Sequence, residues 1–381
     1  MGTAPTGSYQ DTSTRHKRHP GFTLIELPPA SWQRQQSDAL LHSDTDLSAR
    51  RNITVLGAGS WGTALAILLA RNGQRTLLWG NEAPHMAQLQ RERCNQQYLP
   101  DCHFPDGLEL FTDLNAALAQ AQVILLAVPS HALRSVLQQL QPLLQSDHQL
   151  AWATKGLESG SGKLPHEVVA EVLGEAIDTA VVSGPTFARE VAAGLPTAVT
   201  VASASKTFAT ELAAMLHSAS FRAYTSTDLT GVELGGAVKN VLAIAAGIAD
   251  GLGFGANARA ALITRGLAEL MRLGVALGGQ RDTFMGLAGL GDLLLTCTDN
   301  QSRNRRMGLA LAQGHTVQQA SDSIGQVVEG VQTAREVVGL AQRLNVDMPI
   351  CAQVYRVLYE NLSPKDAVQA LLSRELKSEI V

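Results

Sequence analysis

The sequence predicts an α/β fold in which a doubly wound sheet is followed by an all-α second half. Three observations predict it. An apolar run at residues 53–56 leads into a glycine-rich turn and a helical pattern. Strand-like and helical patterns then alternate as far as residue 225, and beyond Asp228 only helical patterns continue. Such alternation is typical of a parallel sheet covered by helices, and a later run of helices indicates a second, helical domain.

The first element is the turn Gly57-Ala58-Gly59-Ser60-Trp61-Gly62, which an apolar helical pattern follows at residues 63–70. In such a turn Gly57 permits the tight bend, Gly59 lets a pyrophosphate approach the backbone, and Gly62 lets the helix pack closely on the strand. The free N–H groups at the helix start favour phosphate. Because a second strand pattern follows at residues 76–79, we expect a dinucleotide site in an N-terminal Rossmann doubly wound sheet, followed by an all-α C-terminal domain.

The residues after the second predicted strand bear on the choice of cofactor. An NAD site of this type usually has Asp or Glu about 20 residues beyond the glycine turn, where the carboxylate binds the ribose hydroxyls. In this chain Gly80 and Asn81 stand there, and Glu82 follows. Asn81 is neutral and does not repel a 2′-phosphate. The sequence is therefore compatible with NADP or NAD, and Glu82 keeps both open.

Further apolar runs predict the remaining strands, at residues 123–128, 150–153, 180–183, 197–202 and 221–225. Helical patterns of mostly small and apolar residues cover 229–248, 258–277, 331–344 and 352–358. We predict a Rossmann NAD(P)-binding domain at residues 51–229 and a helical substrate-binding domain at residues 230–381. Residues 1–50 are rich in Ser, Thr, Pro, Gln and charge, which predicts a disordered or loosely attached extension.

Composition excludes several classes of protein. The chain has 381 residues, a net charge of −4 and no basic stripe interleaved with aromatic residues, so nucleic acid is not an expected partner. No apolar stretch approaches the roughly 20 residues of a membrane span. The four scattered cysteines argue against a disulfide framework and favour a cytoplasmic location. Cys94, Cys102 and His103 match no standard zinc spacing, so no metal is expected.

Polar residues follow three successive predicted strands. Ser130 follows the first of these strands, Lys155 the second, and Thr186 the third. Ligands of such sheets bind outside the carboxyl ends of the strands, so we expect these three side chains to face the nicotinamide half of the crevice. Each of them alone would also suit an ordinary turn.

The helical half contains two further candidate sites. Lys239 and Asn240 lie in a stretch of otherwise small and apolar residues, where an unpaired ammonium is expensive to bury. Desolvation would lower the pKa of Lys239 and let it exchange a proton near neutral pH, whereas a solvated lysine at a helix edge would have no such role. Further on, Asp292 and the cluster Ser302-Arg303-Asn304-Arg305-Arg306 combine a carboxylate with donors suited to phosphate, although an exposed basic helix start has a similar composition.

Five segments together resemble the bacterial NAD(P)-dependent glycerol-3-phosphate dehydrogenases, over about residues 53–358. They are the segments at residues 57–64, 152–156, 183–188, 235–240 and 296–306. The resemblance implies reversible hydride transfer between NAD(P)H and dihydroxyacetone phosphate, which forms sn-glycerol 3-phosphate for phospholipid synthesis. It also implies a homodimer. Residues 1–50 have no counterpart in the family pattern.

The resemblance also implies roles for single residues. Lys239 corresponds to the family's proton donor and acceptor, and Lys155 to a lysine that touches both cofactor and substrate. The remaining substrate contacts that it implies are Gly184, Thr186, Asp292, Ser302, Arg303 and Asn304. From its place beside Lys239, and not from the resemblance, we expect Asn240 to orient or hydrogen-bond the substrate group that Lys239 meets. The remaining expected cofactor contacts are Ser60, Trp61, Asn81, Ala188, Arg303, Val327 and Glu329, beside the three glycines of the turn.

Other functions compete with this interpretation. A Rossmann dehydrogenase acting on a hydroxy acid or a sugar acid phosphate would also place Lys and Asn on a helix after the sheet, but would not need the cluster at residues 302–306. A dinucleotide sensor would need the glycine turn and no Lys239. Residues 21–27 resemble a prepilin processing site, yet Pro28 and Pro29 replace the long apolar helix that a pilin requires.

Overall fold

The fold is built on a sheet whose first strand leads into the predicted glycine turn. The computed structural model describes residues 1–2 and 51–375. Apart from its first two residues, the predicted extension at 1–50, with its prepilin-like segment, lies outside the described residues. The strands of the described residues are β1 (Asn52–Leu56), β2 (Arg75–Trp79), β3 (Cys94–Asn95), β4 (Leu99–His103), β5 (Leu108–Phe111), β6 (Val123–Leu126), β7 (Gln149–Trp152), β8 (Thr179–Ser183), β9 (Thr197–Ala202) and β10 (Phe221–Ser226).

Eight of these strands form the main sheet, in the order β5-β2-β1-β6-β7-β8-β9-β10, and β3 and β4 form a separate antiparallel pair. The six strands from β5 to β8 are parallel and have the 3-2-1-4-5-6 order of a Rossmann sheet. The predicted doubly wound sheet is therefore confirmed. Its direction of winding changes between β1 and β6, which places the crevice beside the glycine turn.

The last two strands differ from the expected continuation, because β9 pairs antiparallel with β8 and β10 runs parallel to β9. The chain therefore leaves the sheet at the edge opposite to the crevice. The next helix begins there at Leu229 and passes back along the sheet. Ten helical residues span about 15 Å, roughly the length of a five-residue strand, so Lys239 reaches the crevice edge.

Helices cover both faces of the sheet and make up the part of the chain after it. The helices of the described residues are α1 (Ser60–Arg71), α2 (Ala83–Glu92), α3 (Leu114–Leu118), α4 (Leu133–Leu140), α5 (Pro165–Leu173), α6 (Ala188–Ala193), α7 (Lys206–Leu216), α8 (Leu229–Gly251), α9 (Ala256–Ala276), α10 (Arg281–Met285), α11 (Asp292–Thr298), α12 (Arg303–Ala312), α13 (Val317–Ile324), α14 (Glu329–Arg343), α15 (Pro349–Tyr359) and α16 (Pro364–Leu372). A π-helical turn at Leu287–Gly291 precedes α11. An all-α part after the sheet is thus confirmed, while the domain boundary near residue 230 stays a prediction.

Side-chain alternation explains how the sheet is buried on both faces. In β6, Val123 and Leu125 belong to one hydrophobic cluster, whereas Ile124 and Leu126 belong to the cluster on the other face. This is the period of two that a strand imposes. Because the parallel strands are covered on both faces, their sequences are nearly continuous apolar runs, which made them predictable.

Helix α8 is the centre of a third hydrophobic cluster. It has 23 residues with a mean hydropathy of 1.5, so it is long and apolar enough to cross a membrane, contrary to the expectation that no stretch has that length. Its apolar window is 100% buried inside the protein, as in the core helix of a compact fold. Among the described residues no other helix meets that length and hydropathy.

Candidate active site

A cavity of about 1410 Å³ opens at the carboxyl edge of the parallel strands, as the switch of winding direction predicts. Its walls come from the glycine turn, the residues after β2, β6 and β7, the start of α6, the middle of α8, and the start of α12. Of the expected site residues, those that line it are Gly57, Gly59, Ser60, Trp61, Asn81, Lys155, Thr186, Ala188, Lys239, Asn240, Ser302, Arg303, Asn304, Val327 and Glu329.

The glycine turn has the shape that a pyrophosphate requires. Gly57 has φ +120°, and a Cβ there would lie 2.6 Å from the carbonyl oxygen of Ala127. A Cβ on Gly62 would lie 1.9 Å from the carbonyl oxygen of Gly57, so helix and strand touch through this glycine. A Cβ on Gly59, in contrast, would meet nothing within 4 Å. No side chain of the described residues caps the first turn of α1, which leaves its N–H groups available to a phosphate.

Residues after β2 form the other end of the cofactor wall. Asn81 and Glu82 are exposed and line the cavity, as do His85 and Tyr98. The ring of His85 packs edge-on against Tyr98, with centroids 5.2 Å apart, and its Nε2 lies 3.3 Å from the carbonyl oxygen of Ala58. The neutral side chain of Asn81 is compatible with a ribose hydroxyl or a 2′-phosphate.

Three charged side chains meet where the sheet and the helices adjoin. Asp292 is fully buried, and its two carboxylate oxygens bind one lysine each. Lys155 Nζ lies 2.8 Å from Oδ2 of Asp292 and also donates to the carbonyl oxygen of Gly184, at 2.9 Å. Lys239 Nζ lies 2.5 Å from Oδ1. The three groups come from the end of β7, from α8 and from the start of α11.

Burial changes the acidity of this cluster. Burial lowers the pKa of Lys239 most strongly, the carboxylate of Asp292 opposes this effect, and the nearby ammonium of Lys155 adds to it, so that the pKa falls from 10.5 to about 8. A group with a pKa near 8 holds a proton at neutral pH and can still release it, which is what a general acid and base needs. The predicted desolvation of Lys239 is therefore present, together with a partner that the local sequence did not reveal.

Asp292 owes its position to the residues just before it. The π-helical turn Leu287–Gly291 packs against α8 so closely that a Cβ on Gly235 would lie 2.3 Å from the carbonyl oxygen of Ala288. Such turns are rare and occur frequently at functional sites. Thr296, one helical turn after Asp292, donates its hydroxyl to the carbonyl oxygen of Asp292 at 2.5 Å and lines the cavity.

The side chains of the donor cluster at 302–306 do not all face the cavity. Ser302 caps α12 by accepting a hydrogen bond from the Arg305 N–H at 3.2 Å. Arg303 is half-buried, lines the cavity, and makes no hydrogen bond or ion pair with the described residues. Burial lowers the pKa of its guanidinium, and Glu329 opposes that effect. Arg306 is exposed at the cavity. Arg305 instead turns into the protein, so the expectation of a single five-residue phosphate cluster is wrong in this position.

Arg305 is engaged in a buried network away from the cavity. It pairs with Asp250 through Nη1 and donates from Nε to the Asn300 side chain at 3.0 Å. Asp250 also binds Arg259 at 2.8 Å. The network ties the ends of α8 and α9 to the loop before α12, and it supports the cluster without facing a ligand.

Two side-chain amides link the substrate end to α14. Asn304 donates to Oδ1 of Asn240 at 2.8 Å, and its own Oδ1 accepts the N–H of Gly330 at 2.8 Å. This series of hydrogen bonds thus links α8 through α12 to the first turn of α14, where Glu329 lies. The amides that the resemblance implies for substrate binding therefore hold the wall of the cavity as well.

Three expected contacts have other surroundings. Ser130 is buried outside the cavity, and its hydroxyl donates to Oε2 of Glu329 at 2.6 Å, so it does not face the nicotinamide half as predicted. Gly184 and Asp292 also lie behind the wall, where they bind Lys155. Trp61 has a buried Nε1 with no hydrogen-bond partner among the described residues.

Some cavity residues were not predicted individually. Thr296 repeats the i, i+4 spacing from Asp292, a signal that could have identified it. His85 and Tyr98 follow a strand end through a helix and a short strand, and local patterns do not place such residues. Within residues 51–375, no group of three His, Cys, Asp or Glu side chains is arranged to hold a metal ion.

Comparison with known proteins assigns the family. Residues 52–209 match the model of the NAD-dependent glycerol-3-phosphate dehydrogenase N-terminus, and residues 228–369 match that of its C-terminus. The chain is 60% identical over 328 residues to glycerol-3-phosphate dehydrogenase (NAD(P)+) of Aeromonas salmonicida, covering 86% of this chain and 98% of the relative. The identity is also 60% over 333 residues to the enzyme of the same name from Pseudoalteromonas translucida, covering 87% and 99%.

Solved structures agree with this assignment. A crystal structure of glycerol-3-phosphate dehydrogenase from Coxiella burnetii is 51% identical, with a TM-score of 0.83, and covers 85% of this chain and 99% of its own. The glycerol-3-phosphate dehydrogenase of Saccharomyces cerevisiae is 28% identical, with a TM-score of 0.73, over 84% and 98%. The chain therefore belongs to the NAD-dependent glycerol-3-phosphate dehydrogenase family.

Proposed function

We propose that this chain reversibly reduces dihydroxyacetone phosphate to sn-glycerol 3-phosphate with NADPH or NADH, and that Lys239 transfers the proton. The observation that carries the proposal is the Lys155–Asp292–Lys239 cluster at the crevice edge, with Arg303 in the same cavity, where its side chain makes no hydrogen bond or ion pair to residues 51–375. The product would supply glycerophospholipid synthesis. The proposal includes a cytoplasmic location, which the four free thiols favour, and a homodimer.

The residues of the cavity suit the cofactor. The open side of Gly59 and the uncapped start of α1 would hold the pyrophosphate, and Asn81 would meet the adenosine end. When bound there, the dinucleotide supplies or accepts the hydride. Glu329 and Val327 would close the cofactor wall from the side of α14.

Lys239 would act on the ketone oxygen. As the carbonyl carbon gains a C–H bond, the π electron pair of the carbonyl moves to oxygen, and the Nζ ammonium stabilises and protonates that oxygen. In the reverse direction the neutral amine takes the proton from the alcohol. Asp292 holds both lysines in place. A second ammonium, that of Lys155, is therefore already positioned near the ketone oxygen, and little entropy is lost in ordering it at the moment of reaction.

The phosphate end of the substrate would bind Arg303 and the start of α12. A half-buried guanidinium that pairs with none of the described residues is suited to an oxyanion, which it binds with two parallel hydrogen bonds. Asn304, Asn240 and Thr186 would supply neutral donors nearby. Binding at the phosphate, away from the reacting carbon, would align the ketone with Lys239.

The test is a direct assay. Purified protein is mixed with dihydroxyacetone phosphate, and the loss of absorbance of NADPH and of NADH is compared. We expect turnover with at least one cofactor and little with unphosphorylated dihydroxyacetone. Arg303→Ala should raise the KM for the phosphorylated ketone about tenfold to 100-fold, as for loss of a charged hydrogen bond. The exposed Arg281 in α10, changed to Ala, is the control. Absence of turnover with both cofactors would refute the proposal.

A further inference from the structure

A buried glutamate lies behind the lysine cluster and takes no part in the proposed reaction. Glu233, in the second turn of α8, has a fully buried carboxylate. Its Oε1 accepts hydrogen bonds from Trp152 Nε1 at 2.8 Å and from the His166 backbone N–H at 3.0 Å. Its Oε2 lies 2.5 Å from Nδ1 of His166. One carboxylate thus joins the last residue of β7, the first turn of α5 and the helix that carries Lys239.

These contacts continue toward the reacting groups in steps of three residues. Trp152 lies three residues before Lys155, and Glu233 three residues before Gly236. At Gly236 the helix touches the lysine, since a Cβ there would lie 3.4 Å from Cγ of Lys155. A further three residues along α8 is Lys239. Residues three apart on a helix are neighbours, so Gly236 lies next to both Glu233 and Lys239 along α8. Because Glu233 binds Trp152 and Gly236 lies against Lys155, the segment at 152–155 and the first half of α8 run side by side toward Asp292.

We infer that Glu233 is a positioning residue, which fixes the register between β7 and α8 so that Lys155 and Lys239 reach the same carboxylate of Asp292. This inference rests on the proposed function, since it assigns the two lysines to the reaction. The distance from Glu233 to Lys239 along the helix is about 9 Å, so the glutamate touches neither substrate nor cofactor in this arrangement.

The chain offers a matched control. Glu269 in α9 is also buried and also binds the start of another helix, because it accepts the N–H groups of Ile350 at 2.7 Å and Cys351 at 3.1 Å. Within the described part of the chain, Glu269 makes no hydrogen bond to a strand of the sheet. Loss of either glutamate should destabilise the fold through unpaired backbone N–H groups, whereas only loss of Glu233 releases a strand that leads to a lysine.

The experiment compares Glu233→Leu, Glu233→Gln and Glu269→Leu in the full chain, with kcat, KM, the pH profile and urea unfolding measured for each. Glu233→Leu should lower kcat about 30-fold or more, with KM for dihydroxyacetone phosphate within about threefold, because small displacements of reacting groups are costly. In this variant the pH at which the rate of ketone reduction falls should move above 8. The reason is that water reaching Lys239 relieves the burial that lowers the pKa of this lysine. Glu233→Gln keeps an acceptor for Trp152 and should restore kcat to within about threefold.

Glu269→Leu should lose stability to a similar extent and retain kcat. A Glu233→Leu enzyme with wild-type kcat and pH profile overturns the inference, and so does an equal loss of kcat in Glu269→Leu. If Glu233→Leu does not fold, Trp152→Phe removes the hydrogen bond from the sheet side alone, and it must lower kcat with KM retained or the inference fails. Inactivity of the wild-type chain would instead refute the proposed function.

Discussion

In the helical part of the described structure, the buried Asp292 and the partly buried Asp250 each bind two cations, and the kind of cation differs. Asp292 lies between Lys155 and Lys239 at the cavity. Asp250 lies between Arg259 and Arg305, at the far end of α8. The same helix thus contributes the lysine of one cluster and the carboxylate of the other.

The kind of cation sets what each cluster can do. A guanidinium keeps its proton at any pH at which proteins fold, and its planar fork matches a carboxylate, so the arginine cluster can only hold parts together. An ammonium changes its pKa readily when buried, and that of Lys239 falls to about 8. We therefore expect the kind of cation, more than burial or pairing, to indicate which of the two clusters exchanges protons.

The largest expected effect comes from making the two clusters alike. Lys239→Arg keeps a positive charge near Asp292 but places there a group that does not release its proton. We expect kcat to fall about 10²-fold to 10⁴-fold, close to the loss in Lys239→Ala, which is the range for a missing general acid. Binding of NADPH, measured by fluorescence titration, should change little. Turnover near wild type in Lys239→Arg would show that only the charge matters.

Removal of the Asp250 carboxylate tests the structural role of the arginine cluster. Asp250→Ala leaves Arg305 buried without its carboxylate, which typically costs about 3–5 kcal/mol of unfolding free energy. Urea unfolding should detect this loss. Below the unfolding transition kcat should stay within about threefold of wild type, because Arg305 faces away from the cavity. A 100-fold loss of kcat with unchanged unfolding would assign Asp250 to the chemistry. Asp347→Ala, at an exposed carboxylate, is the control.

Much of this arrangement was predictable from local sequence. The glycine turn, the apolar strands and the isolated Lys239 each carry their signal within a few residues. The reversal of β9 and β10 was not predictable, because periodicity shows that a residue run is a strand but not in which direction it pairs. The strand β5 was missed, since its four residues alternate apolar and polar only once.

The two carboxylate clusters show the same limit at the level of side chains. Asp292 is 53 residues from Lys239 and 137 from Lys155, so no spacing rule connects them. Arg303 and Arg305 are both basic and lie two residues apart, yet a helix turns about 200° between such positions, so only one faces the cavity. The composition of the segment at 302–306 predicted phosphate binding, but it did not show that Arg305 pairs with Asp250 instead.

A smaller effect is expected in the pH dependence of the rate, which tests the lysine cluster alone. In the proposed reaction, ketone reduction uses the Lys239 ammonium, so kcat/KM should be level below pH 8 and fall as pH rises through about 8. Alcohol oxidation needs the neutral amine, so its kcat/KM should rise through the same pH. Asp292→Asn removes the carboxylate that raises the pKa of Lys239, and both inflections should move to lower pH. Movement to higher pH would contradict this account of the cluster.

The smallest expected effect concerns a third buried carboxylate, Glu269, whose hydrogen bonds come from backbone N–H groups and not from cations. Burial raises its pKa from 4.5 to about 7 in the folded chain. As pH rises from 4.5 to 7 the unfolded chain loses this proton first, so the unfolding free energy falls by at most about 1.4 kcal/mol per pH unit. Glu269→Gln does not titrate, and its stability should lack this part of the decline. Parallel stability curves for Glu269→Gln and wild type between pH 4.5 and 7 would mean that backbone donors keep a buried carboxylate ionised as well as two cations do.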